Sequence, residues 1–99
     1  MELSQIRYFL EVARTEHVTK SAAKLNIAQP ALSQAIRRLE SELEVPLFER
    51  RGRNIVLTEY GRYLQRKAEP LIKELDEIPN ALLTMAELGS ETIHLNVLA

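Results

Sequence analysis

Gln29, Ser33, Gln34 and Arg37 recur at intervals that bring them to one side of a helix, and Arg50, Arg51 and Arg53 crowd into four consecutive positions. Amides, a hydroxyl and guanidinium groups make multidentate hydrogen bonds; they do not supply a nucleophile and its base. A glutamine amide can pair with two atoms of an adenine edge, and arginine does the same with guanine. Three neighbouring arginines repel one another, so they are tolerable on an exposed tip and favourable beside phosphates. Enzyme chemistry finds no such support. The chain has no cysteine, and its two histidines, His17 and His94, are far apart with no ligand partners in the sequence, so each reads as a surface or capping residue. There is no Ser-His-Asp set, no metal-ligand spacing and no phosphate-cradling glycine loop.

These residues need a scaffold, and the composition bounds it. Ninety-nine residues suffice for one domain and fall short of two full ones. Hydrophobic residues at 45% and charged residues at 27% suit a soluble globular protein. No uninterrupted apolar run exceeds three residues, which leaves no membrane span and no signal-peptide core. The net charge of −1, taken whole, argues against a polyanionic partner, but it is unevenly distributed. Residues 1–16 carry −1, residues 17–67 carry +5, and residues 68–99 carry −5. A basic middle joined to an acidic tail points to a polyanion-facing part and a part with another task.

The periodicities place the elements. Ile6, Phe9, Leu10 and Ala13 predict an amphipathic helix from about Leu3 to Thr15. A short second helix is expected to begin at an N-cap Thr19, to turn Ala22, Ala23 and Leu25 inward, and to close at Asn26. Leu32, Ile36, Leu39 and Leu43 form the apolar back of a third helix, with Pro30 tolerated near its start. Its front holds Pro30, Ser33, Gln34, Arg37 and Ser41 and carries no carboxylate until Glu40, a surface that fits the floor of a major groove. Leu47-Phe48 and Ile55-Val56-Leu57 flank a segment with turn residues Gly52 and Asn54, so a β-hairpin with a basic tip is expected.

Thr58 suits the N-cap of a fourth helix, with Glu59 near the positive end of its dipole. Leu64, Ala68, Leu71, Leu75, Ile78, Leu82 and Met85 then repeat at intervals of four and three, a heptad seam that implies a partner helix. A continuous helix from Thr58 to Leu88 would measure about 45 Å. Pro70 and Pro79 predict a kink, with a break near Pro79 as the alternative. Beyond Gly89-Ser90, the alternation of Ile93, Leu95 and Val97 predicts a strand that opens a further domain outside this chain.

Helix, helix, turn, helix and basic hairpin make a winged helix-turn-helix, mainly α, followed by a long linker helix. In such a fold the third helix enters the major groove and the wing reaches phosphates or the minor groove. The ordered series Ala22-Ala23, Leu25, Gln29-Pro30-Ala31-Leu32-Ser33, Ile36, Leu39-Glu40, Leu43, Pro46-Leu47-Phe48, Arg50, Arg53, Leu57-Thr58 and Gly61 resembles the LysR-type transcriptional regulators of bacteria over residues 1–88. The resemblance implies a cytoplasmic regulator with a winged domain at 1–58, a dimerising linker at 59–88, and a hinge and first strand of an effector-binding domain at 89–99. It implies a homodimer or homotetramer on an interrupted inverted repeat of double-stranded DNA, no cofactor in this part, and a small-molecule effector bound elsewhere in the full-length protein. The DNA contacts it implies are Thr19, Gln29, Pro30, Ser33, Gln34 and Arg37, with Arg51 and Arg53 on the wing.

Three positions depart from the family pattern. Ala28 replaces a common hydroxyl residue, Glu44 stands where glycine usually ends the third helix, and Tyr60 replaces a usual alanine before Gly61. Other readings stay open at this point. Arg50 fits an ion pair with Glu49 or Glu59 as well as a wing contact, Arg38 lies toward the flank of the front, and the heptad seam fits packing within one chain. The winged helix also suits a protein-interaction or oligomerisation module without DNA, although that reading calls for an apolar front on the third helix.

Overall fold

The computed structural model describes residues 1–89; the strand expected over 92–99 lies outside them. Five elements precede a long helix: α1 (Leu3–Thr15), α2 (Val18–Leu25), α3 (Gln29–Leu43), β1 (Phe48–Arg51) and β2 (Asn54–Leu57), then α4 (Glu59–Leu88). The chain divides into two units, Met1–Glu69 and the part from Pro70 onward.

In the first unit, α1 to α3 pack around one core. Phe9, Val12, Leu32 and Leu39 are wholly buried, Leu47 nearly so, and Ile6, Ala13, Ala22 and Ile36 close the core around them. The predicted stripes of α1 and α3 are therefore the buried ones, although α1 buries Val12 more deeply than Leu10. Gln5 is buried as well, because its Oε1 accepts the Glu2 N–H at 2.9 Å and so satisfies the start of α1.

Helix α2 begins two residues earlier than expected. Thr19 is not its N-cap: His17 is, and its Nδ1 accepts the Lys20 N–H at 3.1 Å. Ser21 and Ala22 face the core, Leu25 is half-buried, and Ala23, expected inward, is exposed. The buried Ser21 hydroxyl donates to the Glu11 carbonyl at 3.3 Å and lies 2.6 Å from the Thr15 hydroxyl, which pins α2 to the end of α1.

All three helices end on a left-handed residue other than glycine: Glu16 (φ 54°), Asn26 (φ 61°) and Glu44 (φ 59°). Asn26 fits the expectation, since its short side chain tolerates this region. Glu44 adopts the strained conformation that its position implied. At the other end of α3, Ala28 is the N-cap and makes no side-chain bond to the first turn.

The wing is a two-stranded antiparallel hairpin in the register Phe48↔Leu57, Glu49↔Val56, Arg50↔Ile55 and Arg51↔Asn54. Its turn is tighter than expected: Asn54 pairs within the sheet, and only Gly52 and Arg53 lie outside it. Gly52 takes φ +63°, as a two-residue hairpin turn with glycine first requires. The Phe48 ring rests on Phe9 with centroids 5.4 Å apart and so seats the wing on α1.

Thr58 caps α4, its hydroxyl accepting the Gly61 N–H at 3.1 Å and donating to the Pro46 carbonyl at 2.6 Å. Gly61 is packed so closely that a Cβ there would lie 2.3 Å from the Leu47 carbonyl oxygen. The helix then runs without interruption through Pro70 and Pro79, so the alternative of a break near Pro79 does not occur. Tyr60, in place of the usual alanine, is about half exposed, at 47%.

Candidate nucleic-acid interface

Burial of the apolar back of α3 fixes what its front can offer. Gln29, Pro30, Gln34 and Arg37 are exposed and Ser33 is half-buried. The Gln29 amide donates to the Ser33 hydroxyl at 2.8 Å, so these two side chains are already aligned along the start of the helix. Thr19, in the first turn of α2, is also exposed.

The wing stands beside this front. Glu16, Thr19, Gln29, Ser33, Arg50 and Arg53 line one open cleft. Arg37 lines an adjoining depression together with Ser33 and Arg50. Pro30, Gln34 and Arg51 border neither hollow. Strand alternation explains the division within the wing. Phe48 and Arg50 share one face of β1, whereas Glu49 and Arg51 share the other and form an ion pair at 3.5 Å. Both members of that pair are well exposed, so it holds Arg51 only weakly.

For Arg50 the structure bears on the ion-pair alternative alone. The ion pair with Glu49 or Glu59 that competed with its wing role is not formed: Glu49 pairs with Arg51, and Arg50 makes no ion pair among the described residues. Counting alternate positions outward from the half-buried Phe48 separates it from Arg51. Three guanidinium groups, Arg37, Arg50 and Arg53, thus flank the hollows beside the hydrogen-bonding front of α3. Glu40, the carboxylate nearest this surface on α3, is directed at backbone amides of Leu47 and Phe48.

Such an arrangement can hold a polyanion and hydrogen-bond to flat, edge-on groups. Among the described residues no group of three or more metal-ligating side chains converges. Among the described residues, too, no helix is long and apolar enough to cross a membrane. On α4, Ala68 is buried and Leu64 half-buried, while Leu71, Leu75, Ile78, Leu82 and Met85 are 40–64% exposed. Among the described residues, these distal seam positions are exposed. Apolar side chains of Leu71, Leu75 and Ile78 line a shallow groove along the seam.

Three helices with a basic hairpin and a long following helix define a winged helix-turn-helix protein. The model of the bacterial regulatory helix-turn-helix proteins of the lysR family matches residues 3–62, and the chain belongs to that family. It is 51% identical over 77 residues to the uncharacterized HTH-type transcriptional regulator YybE of Bacillus subtilis (78% of this chain, 26% of that protein). It is 50% identical over 76 residues to the transcriptional dual regulator GltC of the same organism (77% and 25%). The chain therefore spans about a quarter of the length of these relatives. Among solved structures, the BenM DNA-binding domain in complex with catB site 1 DNA superposes with a TM-score of 0.81 at 38% identity, covering 87% of this chain and 96% of that one. Full-length OxyR from Pseudomonas aeruginosa gives 0.77 at 28% identity, covering 85% and 28%.

Proposed function

We propose that residues 1–58 bind double-stranded DNA in a sequence-specific manner as the reading unit of a bacterial, cytoplasmic transcriptional regulator. Helix α3, with its cap about 29–44, lies in the major groove. Gln29, Pro30, Ser33, Gln34 and Arg37 face base edges, and Thr19 meets the backbone. Arg53 reaches phosphates or the minor groove, with Arg50 beside it in the cleft and Arg51 on the outer face of the wing. The observation that carries this reading is that Gln29 and Ser33, on the polar front of α3, line the same cleft as Arg50 and Arg53 while Leu32, Ile36 and Leu39 at its back are committed to the core. A protein-binding module would need the opposite, an apolar front. The similarity to a BenM domain crystallised with DNA supports the same conclusion.

The exposed seam from Leu71 to Met85 supports a homodimer, or a homotetramer built from it, through residues 59–88, which suits an interrupted inverted repeat. The chain spans about a quarter of the length of the regulators it resembles, which supports a longer protein whose remaining part binds a small-molecule effector.

Gel-shift titration against duplexes selected from random DNA tests the reading. Arg37→Ala is expected to lose about 1–3 kcal/mol and to relax preference at one base pair, and Arg53→Ala to flatten the salt dependence by about one phosphate's worth. Unchanged affinity in both variants refutes the assignment.

A further inference from the structure

Glu40 follows Arg37 by three residues on α3, yet its carboxylate turns away from solvent chemistry and toward the base of the wing. Its Oε2 accepts the N–H of Leu47 at 2.7 Å and the N–H of Phe48 at 3.3 Å. Two successive amides on one carboxylate oxygen form a charge-assisted clamp, stronger than neutral hydrogen bonds. It ties the helix that carries Gln34 and Arg37 to the residues that open β1. The opposite edge of the same joint is fixed to α4, since the Leu47 carbonyl accepts the Thr58 N–H at 3.0 Å.

The apolar anchors and the clamp do different work. Leu47 is 1% exposed and Phe48 rests on Phe9, which sets how close the wing sits to the core. These contacts are non-directional and leave tilt unspecified. The amide-to-carboxylate bonds are directional and specify it. From Phe48 to Arg53 the hairpin reaches roughly 15 Å, so a tilt of about 10° at the base moves its tip by roughly 2–3 Å. That displacement removes a guanidinium from hydrogen-bonding range.

We propose that Glu40 is a positioning residue for DNA recognition: by clamping the Leu47 and Phe48 amides it sets the tilt of the wing relative to α3 and acts on binding through Arg53. This rests on the DNA-binding reading above, and the experiment separates the two.

Fluorescence anisotropy with a duplex selected from random DNA by the wild-type chain is run as a double-mutant cycle of Glu40→Ala and Arg53→Ala. Glu40→Ala is expected to weaken binding about tenfold in the wild-type background and less than about twofold once Arg53 is already alanine. Glu40→Gln, which keeps an oxygen acceptor without the charge, is expected to restore most of the affinity. A general loss of folded protein would instead weaken both backgrounds equally, so equal losses overturn the proposal, as does no loss at all. If Glu40→Ala does not fold, the cycle is run with Glu40→Met, which keeps the length of the side chain without an acceptor for the two amides, under the same criterion. Failure of the wild-type chain to select any duplex refutes the DNA interface and the proposal with it. Selection followed by an additive cycle refutes only the role of Glu40.

Discussion

Replacing Gly61 by alanine sets two effects of opposite sign against each other. Gly61 lies in the first turn of α4, where helix propensity alone favours alanine by about 1 kcal/mol. The packing says otherwise. An added Cβ would sit 2.3 Å from the Leu47 carbonyl oxygen and 2.7 Å from a Leu57 methyl carbon. The leucine side chain can give way, but the carbonyl cannot move freely. It accepts the Thr58 N–H, and the N–H of the same residue is held by Glu40. Relief requires α4 to shift outward, which strains the Thr58–Leu47 bond and the Thr58 cap on Gly61 itself. Overpacking of this kind costs about 1–3 kcal/mol, and a weakened backbone bond adds about 1 kcal/mol. Net of the propensity gain, Gly61→Ala is expected to destabilise the winged unit by about 2 kcal/mol. Urea denaturation followed by circular dichroism measures it; with a slope of about 1 kcal/mol/M for a small domain, the midpoint falls by about 2 M. A midpoint that stays put or rises would refute the claim that Leu47 is immobile.

Other substitutions probe the ends of α3 and the seam. Ala28→Ser is expected to add about 0.5–1 kcal/mol, because Pro30 has no N–H and the Ala31 N–H is the donor a new hydroxyl can satisfy; a thermal melt reads this as a rise in Tm. Glu44→Gly relieves the left-handed strain at φ 59° and is expected to stabilise by about 0.5–1 kcal/mol after the added unfolded-chain entropy, with a matching rise in the urea midpoint. Leu71→Glu with Leu75→Glu places charges on the exposed seam and is expected to convert dimer to monomer in sedimentation while leaving the melt of the winged unit unchanged. Persistence of the dimer would place the interface elsewhere.

Much of the fold is legible in the sequence because its signals are periodic and redundant. The stripes Ile6–Phe9–Ala13 and Leu32–Ile36–Leu39 each repeat one face several times, so an error at a single residue does not move the helix. What escapes is information held in single contacts. Thr19 has the better residue type for an N-cap, but the His17 imidazole accepts the Lys20 N–H, a capping bond that residue type alone does not display. The burial of Gln5 accompanies a bond to the Glu2 backbone, which no periodicity displays. Glu40 reads as one more acid on a charged helix because its partners are backbone amides, which no sequence pattern displays. The candidate interface was half legible for the same reason. The front of α3 follows from periodicity, whereas the preference for Arg50 over Arg51 depends on the strand phase that Phe48 sets.

The two prolines of α4 have a kinetic consequence. Each lacks an N–H, so the carbonyls of Arg66 and Leu75 lose their usual helical donors and are left to water. A helix whose ladder is interrupted twice does not open as one cooperative unit; it opens in stretches, each governed by its own neighbours. Amide exchange along α4 should therefore proceed in steps at these two sites, so fraying at the Leu88 end is not passed intact to the turn that Thr58 holds.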